Sequence, residues 1–120
     1  MHRRAHRLVV RHKVWLEAPG GFALGDGGVA LLAAIDATGS IRAGVQRVGW
    51  SYRHALSYLA NAEAAVGGPL VRRARGGPAG GGASLTPDGR AFVRRYGRFR
   101  RELDRAVHRL YRTAIGGSGR

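Results

Sequence analysis

Between Ala37 and Gly67 the chain reads ATGSIRAGVQRVGWSYRHALSYLANAEAAVG, two helical patterns that break at Val48-Gly49-Trp50. In the first, Ile41, Val45 and Val48 form an apolar stripe, Ser40 stands at the cap position and Gly49 stops the helix. In the second, Ser51 is the cap, and Ala55, Leu59, Ala62 and Val66 recur at spacings of four, three and four. They therefore share one face. The opposite face carries Tyr52, Arg53, Ser57 and Ala60, with Leu56 beside them. Two short helices joined by a tight glycine turn, the second opening on polar residues, form the helix-turn-helix pattern. The second helix of that motif places its N-terminal residues at base edges in the major groove. The pattern thus implies a duplex DNA partner.

Charge points the same way. The 120 residues include 21 Lys and Arg against 7 Asp and Glu, a formal net charge of +14. Such an excess implies a polyanionic partner, nucleic acid first and an acidic membrane surface second. Lys13 is the single lysine, a mark of compositional bias toward arginine that does not account for the scarcity of acids. Cysteine is absent, which excludes a disulfide scaffold and any cysteine zinc site. The apolar run Leu8-Val9-Val10 is too short for a signal sequence or a membrane span. A cytoplasmic, nucleoid-associated protein is expected.

The elements around this pair follow from local signals. Residues 1–12 read as a basic flexible arm. Lys13 to Glu17 alternates as a short strand, and APGGFALGDGG reads as a turn-rich loop. Asp26 is expected to cap a first helix whose apolar residues are Val29, Leu31, Leu32 and Ile35, ended by Gly39. After the second helix pattern, Leu70 to Ala74 and Ser84-Leu85 form the arms of a hairpin. Its glycine-rich tip, expected to be mobile, is flanked by Arg72, Arg73 and Arg75. A helix-turn-helix followed by such a hairpin is a winged helix.

Thr86-Pro87-Asp88 opens a final helix with a cap, a proline at the first position and an acid in the first turn. Phe92, Tyr96, Phe99, Leu103, Ala106 and Leu110 follow at alternating spacings of four and three, widened by Val93 and Val107. That is a heptad seam, expected to pair two copies of the chain. The helix is expected to run to about Ile115, and residues 116–120 to be a disordered tail.

The residues from Ala37 to Gly89, with GSIRAGVQRVGWSYRHALSYLANAEAAVGGPLVRR and LTPDG, resemble the winged-helix domain of LysR-type transcriptional regulators. VWLEAPGGFALGDGGVALLAAIDATGSI followed by GWSYRHA is similar, more narrowly, to the N-terminal DNA-binding domain of ModE-type molybdate-responsive regulators. The extra strand VWLE, SYR in place of SQP, and RRARGGPAGGGASLTPDG favour that subgroup. Where these regulators carry a triplet of alanines in the second helix, this chain has Ala43-Gly44-Val45. The resemblance implies a helix that pairs with its twin. Full-length members bind molybdate through C-terminal domains. Nothing in these residues resembles an oxyanion pocket, so no molybdate site is expected in this chain.

Other chemistries fit less well. His2 and His6 lie four apart, without an acid or cysteine to complete a metal site. Ser51, His54 and Ser57 share one helical turn with no orienting acid near. No cofactor, metal or catalysis is expected. The fold class expected is mostly α with a small β wing: a winged helix-turn-helix over residues 13–89 and a long dimerisation helix over 87–115. The recognition helix spans about Ser51 to Val66 and the wing residues 70–85. DNA contacts are assigned to Ser40, Arg42, Ser51, Tyr52, Arg53, His54, Ser57, Arg72, Arg73 and Arg75. A regulator binding an inverted repeat as a homodimer is the function implied. An architectural DNA-binding protein of low specificity is the alternative. RNA binding lacks the aromatic platforms single strands require.

Overall fold

The computed structural model describes residues 8–74 and 82–116. Two compact units divide the chain. One spans Val14–Arg94, and the other joins Met1–Lys13 to Arg95–Arg120. Arg75, the glycine-rich tip, His2, His6 and the tail beyond Gly116 lie outside the described residues.

The larger unit opens on a hairpin. Strand β1, Trp15–Glu17, pairs antiparallel with β2, Ala23–Gly25, in the register Trp15 to Gly25, Leu16 to Leu24 and Glu17 to Ala23. The second strand lies inside the stretch read as a loop. It is three residues long, too short to display alternation, and what holds it is the burial of Leu24. Helix α1, Asp26–Thr38, buries Val29, Leu31, Leu32, Ala34 and Ile35. Its N-cap is Gly25, with extended backbone, so Asp26 is not the cap as expected. Asp26 instead sits in the first turn, where its charge complements the helix dipole.

Helices α2, Ile41–Val48, and α3, Tyr52–Val66, form the helix-turn-helix. Both serine caps form as expected: Ser40 Oγ accepts from the Ala43 N–H at 3.1 Å and Ser51 Oγ from the His54 N–H at 3.0 Å. The helices end on Gly39, Gly49 and Gly67, each with φ near +80°, a left-handed cap that costs a side chain dearly. Ala55, Leu59 and Ala62 are buried on α3, but Val66 is 42% exposed. The inward stripe stops one turn before the sequence pattern does, because the helix runs out past the core at Gly67.

Gly44 explains the departure from the alanine triplet. It lies against α1, where a Cβ would come within 2.9 Å of Ile35 Cγ1, 3.0 Å of its backbone N and 3.1 Å of its Cα. Alanine favours a helix interior by about 1 kcal/mol over glycine. Two of these three neighbours are backbone and cannot swing away, and overpacking costs about 1–3 kcal/mol. Gly44→Ala is therefore expected to lower the melting temperature, and a thermal melt that rises instead would show that α1 and α2 yield easily.

The wing pairs β3, Val71–Ala74, with β4, Gly82–Leu85, in the register Val71 to Leu85 through Ala74 to Gly82. Val71, Ala83 and Leu85 turn inward and Arg72 and Arg73 are exposed. The core joins Leu31, Leu32, Ile35, Leu59, Leu70 and Leu85, all fully buried. Each such side chain contributes about 1.5–3 kcal/mol. Helix α4, Pro87–Tyr111, follows. Thr86 caps it by accepting from the Gly89 N–H at 2.9 Å, and its hydroxyl donates to Pro69 O at 2.8 Å. Phe92 and Val93 pack on the core of this unit.

In the smaller unit, α4 continues to Tyr111 and gives way to a π-helical turn at Arg112–Gly116 rather than remaining regular to Ile115. Tyr96 is buried, with its ring edge-on to Phe99 at 6.1 Å. Asp104 holds Arg100 at 2.9 Å and His12 at 3.1 Å. Among the described residues, no helix is long and apolar enough to cross a membrane.

Candidate nucleic-acid interface

The residues assigned to DNA contact that can be described all belong to the unit Val14–Arg94. Helix α3 presents Arg53, His54 and Ser57 to solvent, while Ala55, Leu59 and Ala62 are sealed beneath. The division follows from the three-four spacing. Ser51 is exposed, but its oxygen is engaged by the His54 N–H, so any partner it meets shares that atom. Ser40 is half-buried and serves the cap of α2. Tyr52 is also half-buried and packs toward the core, with the Arg42 guanidinium 4.2 Å from the centre of its ring. A cation over an aromatic face contributes about 0.5–1 kcal/mol at an exposed site. The contact holds the start of α3 and the first turn of α2 together.

An aromatic cluster that helical periodicity alone did not single out supports the same helix end. Trp50 meets His54 at 4.6 Å with the rings tilted and meets Tyr58 edge-on at 5.1 Å, and Tyr58 meets Phe22 at 5.1 Å. Residues 50, 54 and 58 recur every four positions, the signal that could have disclosed them. The cluster packs against the His54 ring, which is otherwise exposed. The Tyr58 oxygen is buried, with the Gly25 backbone beside it. Burial raises its pKa above the ordinary tyrosine value, against a smaller opposing effect of the Gly25 backbone. The phenol lies over Gly28, where any Cβ would collide with the ring and hydroxyl.

Two acids fasten the wing. Glu63 Oε2 accepts from the Leu70 and Val71 N–H groups at 2.8 and 3.1 Å, fixing the root of β3 to α3. Asp36 Oδ1 accepts from the Leu85 N–H at 3.1 Å, fixing the end of β4 to α1, and its other oxygen lies 3.6 Å from Arg90 Nε. The Ala83 N–H adds a bond to Gly39 O at 2.8 Å. Arg72 and Arg73 thus project from a hairpin anchored on both strands. Among the described residues, no group of three or more His, Cys, Asp or Glu is placed to hold a metal.

No family model matches the chain. Individual proteins do. The molybdenum-pterin-binding protein MopB of Rhodobacter capsulatus is 46% identical over 77 residues, 64% of this chain and 28% of its own length. The molybdenum transport protein ModE of Azotobacter vinelandii is 37% identical over 95 residues, 79% of this chain and 35% of its own. The transcriptional regulator ModE of Yersinia pestis is 40% identical over 68 residues, 57% of this chain and 26% of its own. The chain is similar to the N-terminal part of ModE-type regulators and has a winged-helix fold. The chain spans about a third or less of the length of these curated relatives. Among solved structures, the DNA-binding domain of CbnR in complex with DNA shares the fold. It has a TM-score of 0.59 and 23% identity, and the match covers 72% of this chain and 94% of that one. The winged helix-turn-helix expected from SYRH and the arginine-flanked hairpin is thus the fold adopted.

Of the residues assigned to pairing, Phe92 is half-buried and packs on the core of the larger unit. Tyr96 is buried in the smaller one. Leu103 and Ala106 are half-buried, Phe99 is 42% exposed and Leu110 63% exposed. The stripe is covered at its start and open at its end.

Proposed function

We propose that this ModE-like domain binds duplex DNA in a sequence-specific manner as a transcriptional regulator. Its α3 lies in the major groove and Arg72 and Arg73 lie on the backbone or in the minor groove. The observation that carries the reading is the two-sided α3: a fully buried face locks the helix while Arg53, His54 and Ser57 stand clear. Arg53 is the group with the geometry to read a guanine edge, through a two-pronged guanidinium. His54, packed against Trp50, and Ser57 supply further contacts. Arg72 and Arg73 are free of ion pairs among the described residues, which leaves their charge for phosphate. No catalytic step is part of this reading.

The exposed later part of the α4 stripe supports assembly as a homodimer. Two recognition helices then meet an inverted repeat whose half-sites are one helical turn or a multiple apart, about 34 Å per turn.

Arg53→Ala is expected to weaken operator binding by about 1–3 kcal/mol and to relax preference at one position. Arg73→Ala is expected to weaken binding to all sequences alike and to reduce the salt slope by about one. Fluorescence anisotropy across a salt series measures both. Wild-type affinity in both variants would remove the docking proposed. Competition with random duplex distinguishes a regulator from an architectural protein: the former keeps its operator against a large excess, the latter does not.

A further inference from the structure

In the smaller unit, Arg98, Arg101, Arg105, Arg109 and Arg112 follow one another at spacings of three, four, four and three. That is the period of a single helical face. Phe99, Leu103, Ala106 and Leu110 form a separate stripe, centred about 120° round the helix at 3.6 residues per turn. All five arginines are exposed. Arg98 pairs with Glu102 at 3.1 Å. Among the described residues, Arg101, Arg105 and Arg109 have no ion-pair partner. The other nearby acid, Asp104, is occupied by Arg100 and His12. Like charges four residues apart destabilise a helix, so the series works against the folding of α4 unless a polyanion meets it.

We propose that this ridge is a second DNA-contacting surface, whose ligand is the phosphate backbone of the duplex beyond the stretch met by α3 and the wing. The inference rests on the duplex-binding reading above. Guanidinium groups fork onto phosphate oxygens. From Arg98 to Arg109 the ridge extends about 16 Å along the helix, at 1.5 Å per residue. One strand places a phosphate every 3.4 Å of axis, so a ridge of that length faces about four or five phosphates. A membrane-bound helix would sink its apolar stripe into the lipid and keep its cations at the rim. In the homodimer proposed above, the twin would cover that stripe and leave the ridge facing outward.

The test compares wild type with R101Q/R105Q/R109Q on two duplexes, one limited to the operator and one extended by a helical turn at each end. Glutamine keeps the helix, so circular dichroism and the melting temperature should hold or rise as the repulsion goes. On the extended duplex the triple variant is expected to lower the slope of log K against log salt by about 2–3, near 0.9 for each phosphate no longer neutralised. On the short duplex the slope should change by less than about one. Identical slopes on the extended duplex overturn the proposal, as does an equal drop on both. A variant that binds both duplexes like wild type but loses wild-type binding to phosphatidylserine vesicles reassigns the ridge to lipid. If wild type binds neither duplex, the duplex-binding reading itself falls and this inference with it.

Discussion

In the homodimer proposed above, Leu103→Glu is expected to leave each winged helix folded and to abolish pairing. Leu103 lies at the middle of the stripe, between Phe99 and Leu110, which are 42% and 63% exposed. It belongs to the smaller unit, whereas the core of Leu31, Leu32, Ile35 and Leu59 belongs to the larger. A carboxylate there stays hydrated in a monomer. In a dimer it is drawn, on both copies, into an apolar seam, where burying an unpaired charge costs several kcal/mol. On the proposed docking, loss of pairing would remove the second α3 from the same duplex. Linked binding of two modules exceeds either alone by about 10²–10⁴. A palindromic site should therefore lose at least about 100-fold in affinity, while an isolated half-site is bound as before. Light scattering at micromolar concentration and moderate salt measures the mass, and anisotropy measures the affinity. A monomeric wild type, or a dimeric Leu103→Glu with unchanged affinity, sinks the paired arrangement.

The second large effect is on stability. Gly89→Ala should destabilise the protein by about 1–3 kcal/mol, the range for overpacking. Helix propensity alone has the opposite sign, a gain of about 1 kcal/mol. Packing decides the outcome. Gly89 is buried in the first turn of α4, and a Cβ would run into the Leu70 carbonyl oxygen, with its carbon at 3.1 Å and Cα at 3.3 Å. Leu70 is itself fully buried and its carbonyl accepts from the Thr86 N–H at 2.9 Å. Moving it strains the root of the wing and the cap of α4 together. For a domain of 60–100 residues each kcal/mol shifts the midpoint by about 4–8 °C. A calorimetric melt at or above the wild-type midpoint would falsify this account of the junction. Salt slopes on Gly89→Ala at low temperature should fall as well, since the wing carries Arg72 and Arg73.

Much of this architecture is legible because it is local. Ser40, Ser51 and Thr86 each cap a helix by accepting from the N–H three residues on, so the whole interaction lies within one turn. Gly39, Gly49 and Gly67 end helices through their own backbone conformation. The spacing of Ala55, Leu59 and Ala62 marks one face, and the exposure of Arg53, His54 and Ser57 follows from it.

The features that periodicity and capping rules miss are those that join distant positions or too few of them. A three-residue strand such as Ala23–Gly25 leaves no periodic trace, and its existence is decided by the burial of Leu24. Asp26 resembles a cap, yet Gly25 holds that place because the chain enters α1 straight from β2. Val66 fits the apolar period of α3 but lies beyond the end of the core.

The order of residues is enough to specify the helices, most of their caps and stops, the face of α3 that stays outside, and the excess of positive charge. Each depends on neighbours within about four residues or on composition. How the wing is fastened depends on the packed fold. Two of the seven acids, Asp36 and Glu63, accept backbone N–H groups 49 and up to 8 residues away. Packing also dictates that Gly28, Gly44 and Gly89 lack a side chain, since what would collide with one is Tyr58, Ile35 and Leu70. Close approach of elements far apart along the chain leaves no periodic mark in sequence, because it depends on where the packed core brings backbones together.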